Sequence, residues 1–239
     1  MKYTHHICIL MLLMFMGSFV SSYAEDMLVS TSISENDKQA LLENINFAYI
    51  SKEPDKRAIK CFDVHLNGDI AIGSSKSTEK AVCVYSSQGL FKYGYRFNCS
   101  GDFGVEFDGE NLTVWFLRSS IAITVTPTRK IIAVREFENN TAYSAYWRDD
   151  LRSKTRKVDE KIYSVSNDMG FLNIFAASYS QLTLIDENGE IHILYDVNED
   201  QFAVALLRFA LIAILVIFWL IFISYALKQF RKIRKKDHI

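Results

Sequence analysis

The chain has 239 residues, with 27 Lys or Arg against 28 Asp or Glu, a balance that leaves no electrostatic footprint for nucleic acid. Its four cysteines, at positions 8, 61, 83 and 99, form no C-x-x-C pair and no zinc spacing, which argues against a structural metal site.

At the N-terminus, Lys2, His5 and His6 precede the apolar run "ICILMLLMFMGSFV" at 7–20, the small-residue stretch "SYA" at 22–24, and acidic Glu25 and Asp26. That order of parts predicts a secretory signal peptide over residues 1–24. The alternative is an uncleaved N-terminal anchor, against which the shortness of the run counts. Cys8 leaves with the peptide. Cys61, Cys83 and Cys99 then face an oxidising compartment, where three thiols allow at most one internal bridge or remain as buried free thiols. The 27 basic residues less Lys2, Arg208 and six in the C-terminal tail leave 19, and the 28 acidic less Asp237 leave 27. The exported part therefore carries a dispersed charge near −8, as a soluble surface does.

Residues 25–59 predict a helix and a turn. Ser34 is placed to cap "ENDKQALLENI", with Glu35 and Asp37 in the first turn and Leu41, Leu42 and Ile45 as its apolar face. "KEPDKR" at 52–57 reads as the turn.

Over residues 60–200 the hydrophobic period falls to two and the chain repeats. Units at about 60–97, 102–137 and 161–197 each open on an alternating strand (Phe62–Val64–Leu66, Phe103–Val105–Phe107, Tyr163–Val165). Hairpin-forming pairs follow at Asn67–Gly68, Asp108–Gly109 and Asn167–Asp168. Second strands are expected at Ile70–Ile72, Leu112–Phe116 and Leu172–Phe175, and third strands at "KAVCVY", "IAITV" and "QLTLI". "SSQGLFKYGYRF", "PTRKIIAVREF" and "DENGEIHILYDV" supply the closing hairpins and fourth strands, with Tyr93, Tyr95 and Phe97 as one packed face. Phe62 and Phe103 stand 41 positions apart and Phe103 and Tyr163 stand 60 apart. The excess falls in an insertion at about 138–160, expected as a polar, charged loop.

Four short strands at a period near 40 are the pattern of a β-propeller blade. The cadence "FDV…NGDIAIG…VCVYSSQGLF" resembles NHL-type and related six-bladed propeller repeats over roughly residues 60–197, with Arg129 standing where the other units have Gly89 and Gly189. The resemblance implies a mainly β fold of about three four-stranded antiparallel sheets, a partial propeller. Three blades leave two faces uncovered, so either other segments cover them or two copies close a six-bladed ring as a homodimer; the alternative is a plain twisted β-meander that is not a propeller.

The sequence carries no catalytic constellation and no cofactor motif. His65 and His192 fall in different strands of different units, and the acid pairs Asp108/Glu110 and Asp186/Glu187 sit at hairpin turns without the oxygen spacing of a Ca²⁺ loop. The cluster "YSAYW" beside the charged insertion makes Tyr143, Tyr146, Trp147 and Arg148 the candidate partner contact.

The last segment is the clearest. "FALIAILVIFWLIFISYAL" at 209–227 has 19 uncharged residues, and the predicted transmembrane helix covers 203–227. Arg208 marks one edge, and Trp219 and Tyr225 lie within the run. Lys228, Arg231, Lys232, Arg234, Lys235 and Lys236 form a basic tail over 228–239 that predicts a cytoplasmic C-terminus and contact with membrane lipid. The expectation is a single-pass cell-membrane protein whose exported domain recognises a protein or ligand. The alternatives are a structural subunit of a membrane assembly and an enzyme accessory with a blade-rim cleft.

Overall fold

A computed structural model describes residues 28–236. The signal peptide expected at 1–24 lies outside the described residues. Three antiparallel meanders and a long C-terminal helix make up the chain. The first sheet holds β3 (Ile59–Val64), β4 (Ile70–Lys76), β5 (Glu79–Tyr85) and β6 (Phe91–Asn98). The second holds β7 (Phe103–Asp108), β8 (Asn111–Phe116), β9 (Ile121–Val125) and β10 (Ile131–Phe137). In both, the strands fall where the period-two pattern puts them, except that β3 ends at Val64 and Leu66 lies exposed on the turn that follows.

Each of the two sheets gains a fifth strand that the sequence pattern did not reveal. β1 (Ser30–Ser32) pairs with β10, and β2 (Ala48–Ile50) pairs with β6. Between them runs the expected helix, α1 (Glu35–Asn44), capped by Ser34, whose Oγ accepts the Asp37 N–H at 3.3 Å. This arm covers two open sheet edges and ties the sheets together. Its Leu41, Leu42 and Phe47 pack against the core between them.

The third sheet departs from the expectation. Its strands are β11 (Thr155–Val158), β12 (Lys161–Ser166), β13 (Gln181–Ile185) and β14 (Ile191–Asp196). Its first strand therefore comes from inside the supposed loop insertion, and Tyr163 lies on its second strand. The segment expected as a strand at Leu172–Phe175 is a 3₁₀ helix, Gly170–Phe175. The cause is local: Leu172 is buried and Phe171 and Ile174 are exposed, a three-residue spacing that suits a 3₁₀ turn better than a strand. The rest of the insertion is α2 (Thr141–Tyr146), running into a π-helical turn at Trp147–Leu151.

The layers stack in an order different from the chain. One face of the first sheet (Phe62, Ile72, Cys83, Tyr85) packs on the third sheet (Tyr163, Val165, Leu182, Tyr195). Its other face (Cys61, Val82, Val84, Phe97) packs on the second sheet (Phe103, Val105, Val114, Ile123). The far face of the second sheet is covered by α2 and the π-helical turn through Trp115, Phe137, Tyr143, Trp147 and Leu151. Being central, the first sheet is apolar on both sides, which is why β5 reads almost continuously hydrophobic. Phe97 meets Phe103 edge-on at 5.3 Å and Phe116 at 5.0 Å. A Cβ on Gly73 would fall 2.3 Å from Cys61 Sγ and 2.8 Å from a Phe103 ring carbon, so only glycine fits that contact. Cys61 and Cys83 face opposite sides of the sheet and cannot bridge; both are free thiols, as is Cys99. Burial pushes the Cys83 thiol up to about 12.

The inner strands β3, β7 and β11 meet at Asp63. Its Oδ2 accepts the Phe107 N–H of β7 at 2.7 Å, and its Oδ1 accepts from Arg156 Nε of β11 at 2.7 Å. Arg156 Nη2 donates to the Asp150 carbonyl of the π-helical turn at 2.7 Å. A neighbouring knot forms at Glu106, which accepts from Tyr146 Oη and from Trp115 Nε1. Burial raises the Glu106 pKa, with the hydrogen bonds from Tyr146 and Trp115 opposing and Asp63 adding to the rise.

Asp63→Ala leaves the Arg156 guanidinium without its carboxylate and is expected to cost about 3 kcal/mol or more, while Asp63→Leu with Arg156→Met recovers much of that loss. Denaturant unfolding of the detergent-solubilised chain measures both; equal losses in the single and double variants would contradict this role. Because Glu106 binds its proton more tightly folded than unfolded, native stability should fall as pH rises from the ordinary glutamate range to the raised value. Glu106→Gln flattens that part of the profile, and parallel profiles for variant and parent would count against the assignment.

Candidate functional site

At the end of the domain where β3, β7 and β11 begin, the three sheets and the π-helical turn enclose a cavity of about 590 Å³. Its walls come from Ile59 and Lys60 of β3, Lys80 of β5, Asp102 and Phe103 at the head of β7, Trp147 and Arg152 beyond α2, and Lys154 leading into β11. The segment Ala176–Tyr179 closes the remaining side and is held in place by an antiparallel bridge between Ile59 and Tyr179.

The cavity is cationic. Lys60, Lys80, Arg152 and Lys154 line it against a single carboxylate, Asp102. Asp102 sits 3.7 Å from Arg152. Lys80 is only 9% exposed, and its ammonium donates to the Ser77 carbonyl at 2.6 Å. Lys60 donates to the Ala177 carbonyl at 3.1 Å, and Lys154 lies over the Tyr179 ring at 5.6 Å. Among the described residues neither Lys60 nor Lys80 has a carboxylate within ion-pair distance. Burial lowers the Lys60 pKa; Asp102 opposes this, and Lys80, Arg208 and Arg152 reinforce it. The cavity is thus an unbalanced positive field with ammonium and guanidinium donors, an arrangement that favours an anion. The indole N–H of Trp147 has no hydrogen-bond partner among the described residues.

The four residues expected to form a partner contact are placed otherwise. Tyr143 and Trp147 are 1% and 5% exposed and pack against the second sheet. Tyr146 is half-buried and engaged with Glu106. Arg148 alone is exposed, and it forms a two-pronged pair with Asp149 at 2.8 Å per bond. The aromatic cluster closes an uncovered sheet face, which is the structural requirement that the sequence pattern had left open. No sequence motif marks the cationic wall, because its residues are scattered from Lys60 to Lys154. The one local signal is Lys80, which follows Glu79 at the start of β5 and is the only other charged residue of that strand.

Elsewhere, Asp186, Glu190 and His192 bring three ligand-type atoms within 4.8 Å of one another at an exposed hairpin. The Asp186 carboxylate is committed to the turn itself, accepting the Asn188 and Glu190 N–H groups at 2.9 Å with His192 Nε2 at 3.0 Å. His65 is buried edge-on against Phe107 at 5.2 Å, with Nδ1 accepting the Asn67 N–H.

The C-terminal helix, α3 (Asn198–Lys236), holds the membrane-anchor candidates. Its stretch Asn198–Tyr225 is the one helix among the described residues long and apolar enough to cross a membrane. Trp219 and Tyr225 are exposed on it, and Lys228, Arg231, Lys232, Arg234, Lys235 and Lys236 extend the same helix. Arg208 turns back to donate to the Phe175 carbonyl at 2.8 Å. In comparisons with family models, with curated proteins and with solved structures, nothing matches this chain.

Proposed function

We propose that this is a single-pass membrane protein whose β domain lies outside the cell membrane, with the C-terminus cytoplasmic, and recognises an anionic ligand in the cationic cavity. In this reading the three sheets are blades of a partial propeller, in line with the NHL-type cadence of the sequence, and the cavity is the mouth where their inner strands converge. The observation that carries it is the charge imbalance of the cavity: four cations, one of them a nearly buried lysine, face one carboxylate. The basic residues that follow the apolar run support the orientation.

Glycerol phosphate and pyrophosphate serve as probes. Each should raise the Tm of the detergent-solubilised chain, less so at high salt, and Lys60→Met with Lys80→Met should abolish the shift. A shift that survives both substitutions places binding elsewhere, and no shift with either probe removes the reading.

A second reading, self-association, has one observation in its favour. β1 and β2 cover the outer strands of two sheets, but β14 is an edge strand of the third, and Ile191 and Ile193 on it are 69% and 58% exposed. Such an edge pairs readily with a second strand. Light scattering of the chain in detergent should give a dimer that Ile193→Lys converts to monomer; a monomer at all concentrations excludes it.

A further inference from the structure

The connection from β12 to β13 is the place where the third sheet breaks the pattern of the other two. Residues 167–180 replace a short hairpin and carry the 3₁₀ helix Gly170–Phe175. This segment is not loose. Asn167 Oδ1 accepts the Ser180 N–H at 2.8 Å, Asn173 Oδ1 accepts the Met169 N–H at 3.0 Å, and Asn198 Nδ2 donates to the Asp168 carbonyl at 2.8 Å. Met169 and Leu172 are buried against Ala205 of α3. Yet the same rigid turn leaves Phe171 67% and Ile174 79% exposed.

The position of those side chains along α3 identifies their surroundings. Phe171 meets the Phe209 ring edge-on at 5.7 Å and Phe175 meets it at 5.5 Å. Lys228 is the first cation after the apolar run. Counting back from it at 1.5 Å per residue puts Phe209 about 28 Å away, close to the ~30 Å thickness of a hydrocarbon core. Phe209 therefore stands at the outer boundary of the core if Lys228 stands at the inner one. Phe202, Leu206 and Leu207, on the α3 turns that lead to it, are also 45%, 46% and 62% exposed, so the apolar surface of helix and turn is continuous. Arg208, at the same level, has its guanidinium drawn back to Phe175, as a cation at an interface is.

We propose that the Gly170–Phe175 turn is a second membrane contact, with Phe171 and Ile174 inserted into the outer leaflet of the bilayer that α3 crosses. This rests on the membrane-spanning reading of α3. Burying two exposed apolar side chains in lipid favours the docked state, and the contact fixes the tilt of the β domain because the turn and α3 are packed as one piece.

The test uses the full chain in nanodiscs made with lipid brominated high or low on its acyl chains. Trp115 and Trp147 are buried in the β domain, so the part of the parent protein's emission that lipid can quench is that of Trp219 in the span: lipid brominated low on the chain should quench it. Phe171→Trp adds emission that lipid brominated high on the chain should quench, whereas Leu66→Trp, at a site 81% exposed on the β3–β4 turn, adds emission that no brominated lipid quenches. Quenched Trp219 with unquenched Trp at position 171 overturns this inference alone. Unquenched Trp219 overturns the membrane-spanning reading beneath it. Quenching of Trp at position 171 and at position 66 alike also overturns the inference, because lipid contact would then not be specific to the turn.

Discussion

Asp63 is the residue through which the parts of the domain hold one another. It sits on β3, in the middle sheet, and its two oxygens are spent on different neighbours: the Phe107 N–H of the second sheet and the Arg156 guanidinium of the third. Arg156 passes the link on to the Asp150 carbonyl at the end of the helical insertion and lays its guanidinium 5.7 Å from the Phe62 ring centre. Only a planar fork with several donors can serve a carboxylate, a carbonyl and an aromatic face together; lysine could not. The side chains are 12% and 19% exposed, so desolvation is substantial and is offset only because every charged atom finds a partner. The consequence is geometric. Hydrophobic faces slide easily over one another, whereas a charged pair that also takes a backbone N–H fixes where β3, β7 and β11 stand.

With the inner strands fixed, the space at their beginnings is fixed as well. Lys60 follows Ile59 at the head of β3, Asp102 precedes Phe103 of β7, and Lys154 precedes Thr155 of β11. Three charged residues thus flank the first positions of three strands and converge because the strands do. Lys80 joins them from β5, held by the Ser77 carbonyl rather than by a carboxylate. A cationic cavity with little internal compensation costs stability, and a domain as acidic as this one elsewhere has carboxylates that could have neutralised it. Asp102 is the one carboxylate on that wall.

Much of this fold was legible because one turn recurs. At Ser86–Leu90, Thr126–Lys130 and Asp186–Glu190 the same pair of backbone hydrogen bonds closes the hairpin, and in each the first residue's side-chain oxygen accepts the last residue's N–H. The fourth position has φ of +77° at Gly89, +73° at Arg129 and +80° at Gly189. Arg129 therefore takes a glycine conformation without being glycine, at a cost of about 1 kcal/mol. Its guanidinium lies 4.0 Å from the Tyr49 ring centre, a cation–π contact across to the arm strand on the first sheet that can offset the strain. The sequence motif and its exception both have a physical reason. The arm strands β1 and β2 were not legible, since three residues such as "STS" carry no hydrophobic period. They are strands because two sheet edges needed partners.

The third sheet was misread for a different reason, and the reason bears on what the domain is for. Alternation placed Tyr163 at the head of a unit and made a strand of "LNIF", because both segments look apolar at period two. In the first two sheets that pattern answers to one environment, a protein core on each side. Around Gly170–Phe175 there are two environments: Leu172 faces Ala205 and the core, while Phe171 and Ile174 face outward beside the apolar helix. A sequence pattern cannot say which of two apolar media a side chain enters. The same segment continues into Ala176–Tyr179, which forms a wall of the cationic cavity, and Lys60 reaches across to its Ala177 carbonyl. One short stretch of chain therefore borders the apolar helix on one side and the charged cavity on the other. The two features distinctive of this domain are joined through one asparagine-stapled turn, which packs on α3 through Met169 and Leu172 and walls the cavity through Ala176–Tyr179.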